Sequence, residues 1–90
     1  MGLNIMVETL DGKSHPKWDD GKFAGDRELP EKLRRVPNEC RRVNDDWFER
    51  PTDFGQFRCV LQEYDVNEDR WTALADLLEA SPDFWIRFCA

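Results

Sequence analysis

The sequence contains few of the residues from which metal centres and nucleophilic sites are built. It has one histidine, His15, and three cysteines, none of them in a Cys-x-x-Cys pair. A structural zinc site needs four such ligands at short spacings, and an activated thiol is marked by a flanking glycine elbow or a helix-entry position. Neither pattern is present. We therefore expect no metal, no cofactor and no catalytic residue.

Glycine is also scarce, and the phosphate-binding loops that depend on it are missing. Gly21 and Gly25 are followed neither by Lys-Ser/Thr nor by a helix-opening pattern, so nucleotide binding has no support. No apolar run approaches the roughly 20 residues that span a membrane. We expect no membrane partner.

The three cysteines, Cys40, Cys59 and Cys89, are odd in number and widely spaced, which does not suit a disulfide framework. The start of the sequence also lacks the pattern of a signal peptide. Both observations predict a cytoplasmic protein with free thiols. We expect Cys40 and Cys59 to be buried as small apolar groups.

Basic residues are depleted in the second half of the chain. Residues 46–90 contain four Arg, no Lys and ten Asp or Glu, whereas residues 1–45 contain nine basic and nine acidic residues. The net charge of −6 therefore lies entirely in the second half. This balance disfavours nucleic acid as a partner, because binding to phosphate backbones requires several Lys or Arg contacts.

A chain of 90 residues supports one domain with a modest core, and we predict a single domain over residues 1–90. Apolar and polar residues alternate over residues 3–9, and residues 84–89 form a strand-like run that is apolar on both alternating faces, so two strands are predicted. We expect both terminal strands in one small sheet of an α+β fold, packed against two or three helices. Two strands make a marginal sheet, so a third is expected from the Trp18 region or from another chain.

Helical spacing predicts the elements between these strands. Pro30 suits a first helical turn, and residues 31–36 are predicted as a short helix that Pro37 ends. After it, the apolar residues recur every three or four positions and predict a further helical stretch. They are Cys40, Val43 and Trp47.

Two longer helices are predicted in the second half. Thr52 is a candidate N-cap for a helix over residues 53–64. A strand is the alternative there, but only the helical period places the aromatic residues at both ends on one face. Asn67 is predicted to cap a second helix, which Ser81-Pro82 ends. Its apolar stripe consists of Trp71, Leu74, Leu77 and Leu78.

A long ordered loop is predicted at about residues 11–29, and it contains the densest group of potentially chemical side chains. One imidazole with several carboxylates could hold a divalent ion or supply a general base. We prefer a structural interpretation, because Asp19-Asp20-Gly21 is a turn signal and His15 has no second imidazole beside it. The group comprises His15, Trp18, Asp19, Asp20, Asp26, Arg27 and Glu28.

The C-terminal strand is apolar on both faces, with Phe84, Ile86 and Phe88 on one and Trp85 and Cys89 flanking Arg87 on the other. A strand with one buried side should be polar on its second side. The second face is covered either by the chain itself or by a partner, and we favour a partner because Arg87 suits the rim of an interface. The predicted partner-binding residues are Trp85, Arg87, Cys89, Trp18, Asp19 and Asp20.

Basic residues are concentrated in one region, at Lys32, Arg34, Arg35, Arg41 and Arg42. This cluster could bind an acidic partner or offset the acidic C-terminal helix within the domain. We prefer the intramolecular interpretation, because Glu31 and Glu39 are interspersed with the basic residues.

Together these patterns predict a small acidic, intracellular interaction protein that binds another protein, or itself, without catalysis. Some inhibitors encoded by phages and mobile elements are compact acidic domains of this kind. The alternative is a small enzyme or metal-binding domain that uses the loop from His15 to Glu28.

Overall fold

The computed structural model describes residues 4–18, 27–43, 45–64 and 69–89, and within these ranges it contains four strands and three helices. The strands are β1 (Asn4–Glu8), β2 (Asn38–Val43), β3 (Asp46–Pro51) and β4 (Trp85–Cys89), and the helices are α1 (Glu28–Leu33), α2 (Phe54–Tyr64) and α3 (Asp69–Ala80). The predicted α+β class is confirmed. None of the described helices has the length and apolar character needed to cross a membrane.

The strands form one antiparallel sheet in the order β1-β4-β3-β2. Ile5 lies opposite Phe88 and Val7 lies opposite Ile86, which confirms that the two terminal strands are neighbours. Side chains of paired residues share a face of the sheet. These four side chains belong to the core cluster and define what we call the helix face.

The core lies between the helix face and the three helices. Each fully buried large apolar side chain contributes about 1.5–3 kcal/mol relative to an exposed one. The predicted stripe of α3 is confirmed at Trp71, Leu74 and Leu78, while Leu77 is partly buried. The cluster consists of Ile5, Val7, Leu29, Leu33, Val36, Phe57, Val60, Leu61, Trp71, Leu74, Ala75, Leu78, Ile86 and Phe88.

The predicted helix after Pro51 is confirmed as α2, but its cap is not Thr52. The carboxylate of Asp53 accepts a hydrogen bond from the Gln56 backbone N–H at 3.0 Å, and the Asp53 carbonyl accepts one from Phe57 at 3.0 Å. Asp satisfies the first amides of a helix as well as Thr does. The other predicted cap, Asn67, lies outside the described residues.

The predicted helical stretch through Cys40, Val43 and Trp47 is wrong, because these residues belong to the hairpin of β2 and β3. Val43 pairs with Asp46, so two residues separate the strands, and the sequence there is Asn-Asp, which favours tight turns. The hairpin supplies the additional strands of the sheet. They come neither from another chain nor from Trp18, which lies outside the strands.

The prediction that two cysteines are buried is also wrong. Cys40 and Cys59 are free and exposed. Cys40 lies on the outermost strand of the sheet. Cys59 lies two residues from the buried Phe57 and Leu61 in α2, and a separation of two positions turns a helical side chain away from the buried face.

Candidate protein-binding edge

The edge of the sheet at β1 is covered by the chain itself. After β1 the backbone turns at Gly12, whose φ of 98° is readily adopted only by glycine. The chain then returns beside the strand, where the His15 backbone N–H donates to the Val7 carbonyl at 2.9 Å and Ser14 forms a bridge with Glu8. Part of the backbone edge of β1 is therefore already hydrogen-bonded.

The opposite edge is β2, and no described segment pairs with its outer side. Residues 39–43 are all exposed. Among them Val43 exposes 40% of its surface, an unusual fraction for a large apolar side chain in this protein. Apart from the half-buried Asn38, the residues of β2 are therefore accessible to solvent on both faces of the strand.

The pairing of β2 with β3 fixes which backbone groups face outward. In an antiparallel ladder, residues that bond to the neighbouring strand alternate with residues whose N–H and C=O point away. The Pro37 carbonyl accepts a hydrogen bond from the Thr52 N–H at 2.9 Å, and these two residues continue the register of the hairpin. Odd-numbered residues of β2 thus bond to β3. The strand residues that face outward are Asn38, Cys40 and Arg42.

The side chains of β2 give this edge a mixed, locally basic character. Cys40 and Arg42 share the helix face with Trp47, and the Arg42 guanidinium lies 5.9 Å from the Trp47 ring centre. Glu39 and Arg41 point to the opposite face. Charged side chains on an edge strand discourage indiscriminate pairing, so their order determines which strand the edge can accept.

A buried carboxylate lies directly behind this edge. Glu49 is 9% exposed, pairs with Cys40 across the hairpin and accepts a hydrogen bond from the Trp47 indole N–H at 3.1 Å. Burial raises the pKa of Glu49, against the smaller effects of that hydrogen bond and of Arg34. Partial desolvation, with the nearby Glu49 charge, also raises the pKa of the Cys40 thiol. A raised pKa lowers the thiolate fraction at neutral pH, which does not favour nucleophilic reactivity.

The predicted basic cluster is divided among several partners. Lys32 bonds to Glu28 at 2.9 Å, and Arg35 pairs with Glu63 of α2 at 3.0 Å. Arg41 and Arg42 lie on the exposed edge. The acidic side chains of α3 are instead approached by Arg58 of α2, at 2.8 Å from Asp76 and at 2.8 Å from Glu79.

On the face opposite the helices, Trp85 and Arg87 have partners within the chain. Trp85 is only 8% exposed, so the chain itself covers most of the indole. Arg87 donates to Glu8 at 2.9 Å and through Nε to Asp46 at 3.0 Å, which ties β4 to both of its neighbouring strands. A partner-binding role for either residue remains a prediction. The side chain of Cys89, the third predicted residue of this face, lies outside the described part.

The structure also places the described residues of the predicted chemical loop. The His15 Nε2 lies 3.1 Å from the Ser81 hydroxyl, and burial lowers the pKa of this imidazole. Glu28 pairs with Lys32. Among the described residues, no three His, Cys, Asp or Glu side chains are placed to hold a metal ion. Asp19, Asp20 and Asp26 lie outside the described residues.

Trp18, the remaining predicted partner-binding residue, packs against the core. Its indole N–H donates to the Ile5 carbonyl at 3.3 Å. The outer side of Trp18 borders a surface groove of about 400 Å³, which Arg70 and Leu77 of α3 also line. This groove is shallow and mixed in polarity, unlike the enclosed apolar pockets that usually bind small molecules.

The open edge of β2 was missed by the sequence analysis. The available signals were the Asn44-Asp45 pair and the run of polar residues before it, which fit a hairpin with one exposed strand. Comparison with protein-family models, with curated proteins and with solved structures finds no match to this chain.

Proposed function

We propose that this chain is a non-catalytic protein-binding domain that recruits an extended strand of another protein molecule to β2. The observation that carries the proposal is the difference between the two edges. Ser14 and His15 already bond to part of the β1 edge, whereas residues 39–43 of β2 are exposed and no described segment pairs with the outer side of this strand.

Strand addition would use the backbone groups that point away from β3. Asn38, Cys40 and Arg42 each offer one N–H and one C=O outward. A typical hydrogen bond contributes about 0.5–1.5 kcal/mol net, and side chains that alternate along the added strand supply specificity. The edge therefore supports both affinity and selection.

The proposed setting is the cytoplasm, where Cys40 and Cys59 would remain reduced. Both thiols are free and exposed, and such thiols persist in reducing compartments. An inhibitor that occupies the surface of another protein, as some proteins of phages and mobile elements do, would work through an edge of this kind without any catalytic group.

The proposal is tested by removing one outward N–H without touching the bonds between β2 and β3. Arg42→Pro does this, because proline is tolerated in an edge strand where its nitrogen faces solvent. Arg42→Ala is the matched control, since it removes the side chain and keeps the N–H. Circular dichroism establishes that both variants fold.

The measurement is affinity capture from lysate on wild-type and variant chains, together with the mass of each chain in solution. The proposal predicts that wild type binds another chain, either foreign or a second copy, and that Arg42→Pro loses this binding while Arg42→Ala retains most of it. Equal capture by all three chains, or a monomeric wild type that captures nothing, would overturn the proposal.

A further inference from the structure

We propose that the strand accepted by β2 is β2 of a second copy of this chain, paired antiparallel about a two-fold axis that passes between the two Cys40 residues. The inference rests on the proposed function and names its partner. This pairing joins the sheets of the two molecules into one continuous sheet.

Symmetry restricts the possible registers to a few. Two identical antiparallel strands in one sheet are related by a two-fold axis perpendicular to the sheet, which keeps the faces of both copies aligned. One residue must then lie opposite its own counterpart. The candidates near the middle of the exposed strand are Glu39, Cys40, Arg41 and Arg42.

Charge selects among these four centres. Like charges directly opposite each other destabilise a strand pair, and opposite charges stabilise it. Centres at Glu39, Arg41 or Arg42 place two like charges face to face. A centre at Cys40 places a neutral side chain there, and it brings Glu39 of each copy opposite Arg41 of the other.

The same register uses the outward backbone groups completely. The backbone N–H and C=O of Cys40 bond to those of Cys40 in the second copy. Asn38 of each copy bonds in the same way to Arg42 of the other copy. No outward N–H or C=O of these three residues is left without a partner.

Apolar surface is also covered by this register. Val43, with 40% of its surface exposed, lies opposite Pro37 of the second copy, which is likewise exposed. The charge order, the backbone alternation and this apolar contact all favour the Cys40 centre.

The charge order gives a test by exchange of the paired residues. Arg41→Glu alone places Glu opposite Glu39, and Glu39→Arg alone places Arg opposite Arg41. The double variant Glu39→Arg/Arg41→Glu restores opposite charges at both positions. Thermal melts identify any single variant that fails to fold.

The measurement is sedimentation velocity over a concentration series. Wild type should reach twice the chain mass of 10.7 kDa, each single variant should dissociate at least tenfold more readily, and the double variant should recover. A wild type that stays monomeric at millimolar concentration, or single variants that associate as well as wild type, would overturn the inference.

A cross-linking experiment reads the register directly. Paired residues of an antiparallel sheet have Cβ atoms about 4.5–5.5 Å apart, wider than the roughly 3.5–4.5 Å of a disulfide but within reach of a short bismaleimide. This reagent adds one thiol across the C=C bond of each of its two rings, and it should link Cys40 to Cys40 in a Cys59→Ser/Cys89→Ser background. The Cys40→Ser/Cys89→Ser chain, which retains Cys59, is the control. A cross-link at Cys59 but not at Cys40 would contradict the register.

The two proposals can fail separately. If the wild-type chain is monomeric but captures a foreign protein that Arg42→Pro loses, the second copy is wrong and strand addition stands. If the dimer is insensitive to Arg42→Pro and this variant also captures every foreign protein that wild type captures, both proposals fail.

Discussion

The ammonium of Lys32 lies 4.4 Å from the ring centre of Trp71, although the Lys32 side chain is fully buried. The same nitrogen bonds to Glu28 at 2.9 Å. Lys32 thus connects α1 to α3 in the core, where its aliphatic stem packs like an apolar side chain and its charge faces an aromatic ring.

Lys32→Ala should destabilise the protein by about 2–4 kcal/mol, because it leaves a cavity and removes the contact with Trp71. Lys32→Met fills most of the same volume and should cost clearly less. Urea unfolding of the three chains measures both free energies. Equal losses in the two variants would show that the charge, and not the packing of the stem, stabilises this contact.

Trp85→Ala should lower the free energy of unfolding by about 3–5 kcal/mol, because the chain buries all but 8% of this residue. Leu10→Ala is the control, because Leu10 and Trp85 line one surface groove and Leu10 is 39% exposed. Substitutions of exposed residues stay within about 0.5 kcal/mol. The readouts are melting temperature and sedimentation. If Trp85→Ala keeps its melting temperature and loses association, Trp85 belongs to an interface, as the sequence suggested.

Arg87→Met should cost about 2 kcal/mol, less than the roughly 3–5 kcal/mol for breaking a fully buried pair. The reason is that the Glu8 side chain is only 6% exposed and loses its cationic partner, while Arg87 itself is 28% exposed. A double-mutant cycle with Glu8→Gln measures the coupling, and the double variant should be more stable than the sum of the single losses predicts. Strictly additive losses would show that the contact contributes nothing.

Glu49→Gln should change how stability depends on pH. Burial raises the folded-state pKa of Glu49 above its ordinary value of 4.5, so the folded state holds this proton more tightly than the unfolded state. Its contribution to stability is therefore present at low pH and is lost as the pH rises from about 4.5 through the folded-state pKa.

The glutamine variant keeps an acceptor for the Trp47 indole. Because glutamine does not titrate, this variant does not lose stability as the pH rises through the folded-state pKa of Glu49. Its stability relative to wild type should be higher at pH 8 than at pH 4, by about 1.4 kcal/mol for each unit of elevation in pKa. Urea midpoints at the two pH values give this difference. If the difference in stability between variant and wild type is the same at pH 4 and pH 8, burial does not raise the pKa of Glu49 in the folded protein.

The parts of the fold that could be predicted are those with one buried side. β1 alternates because Ile5 and Val7 are buried, and α3 shows its stripe because Trp71, Leu74 and Leu78 face the core. Burial on one face imposes a period on the sequence, and that period identifies the element.

The hairpin could not be predicted in the same way. β2 is exposed on both faces, so it has no period, and in β3 the neighbouring residues Phe48 and Glu49 are both buried on opposite faces. The remaining apolar residues are spaced like a helical stripe by coincidence. Because the candidate edge lies in the segment without a period, the sequence pointed to Trp85 instead.

The partly bonded edge at β1 limits how far the proposed association can proceed. A sheet with two open edges can add molecules at both ends and grow into a fibril. Here Ser14 and His15 already bond to part of the β1 edge, and the proposed dimer uses the β2 edge of both molecules. Growth beyond two chains is therefore disfavoured, and the turn at Gly12, which returns the chain beside β1, acts against polymerisation.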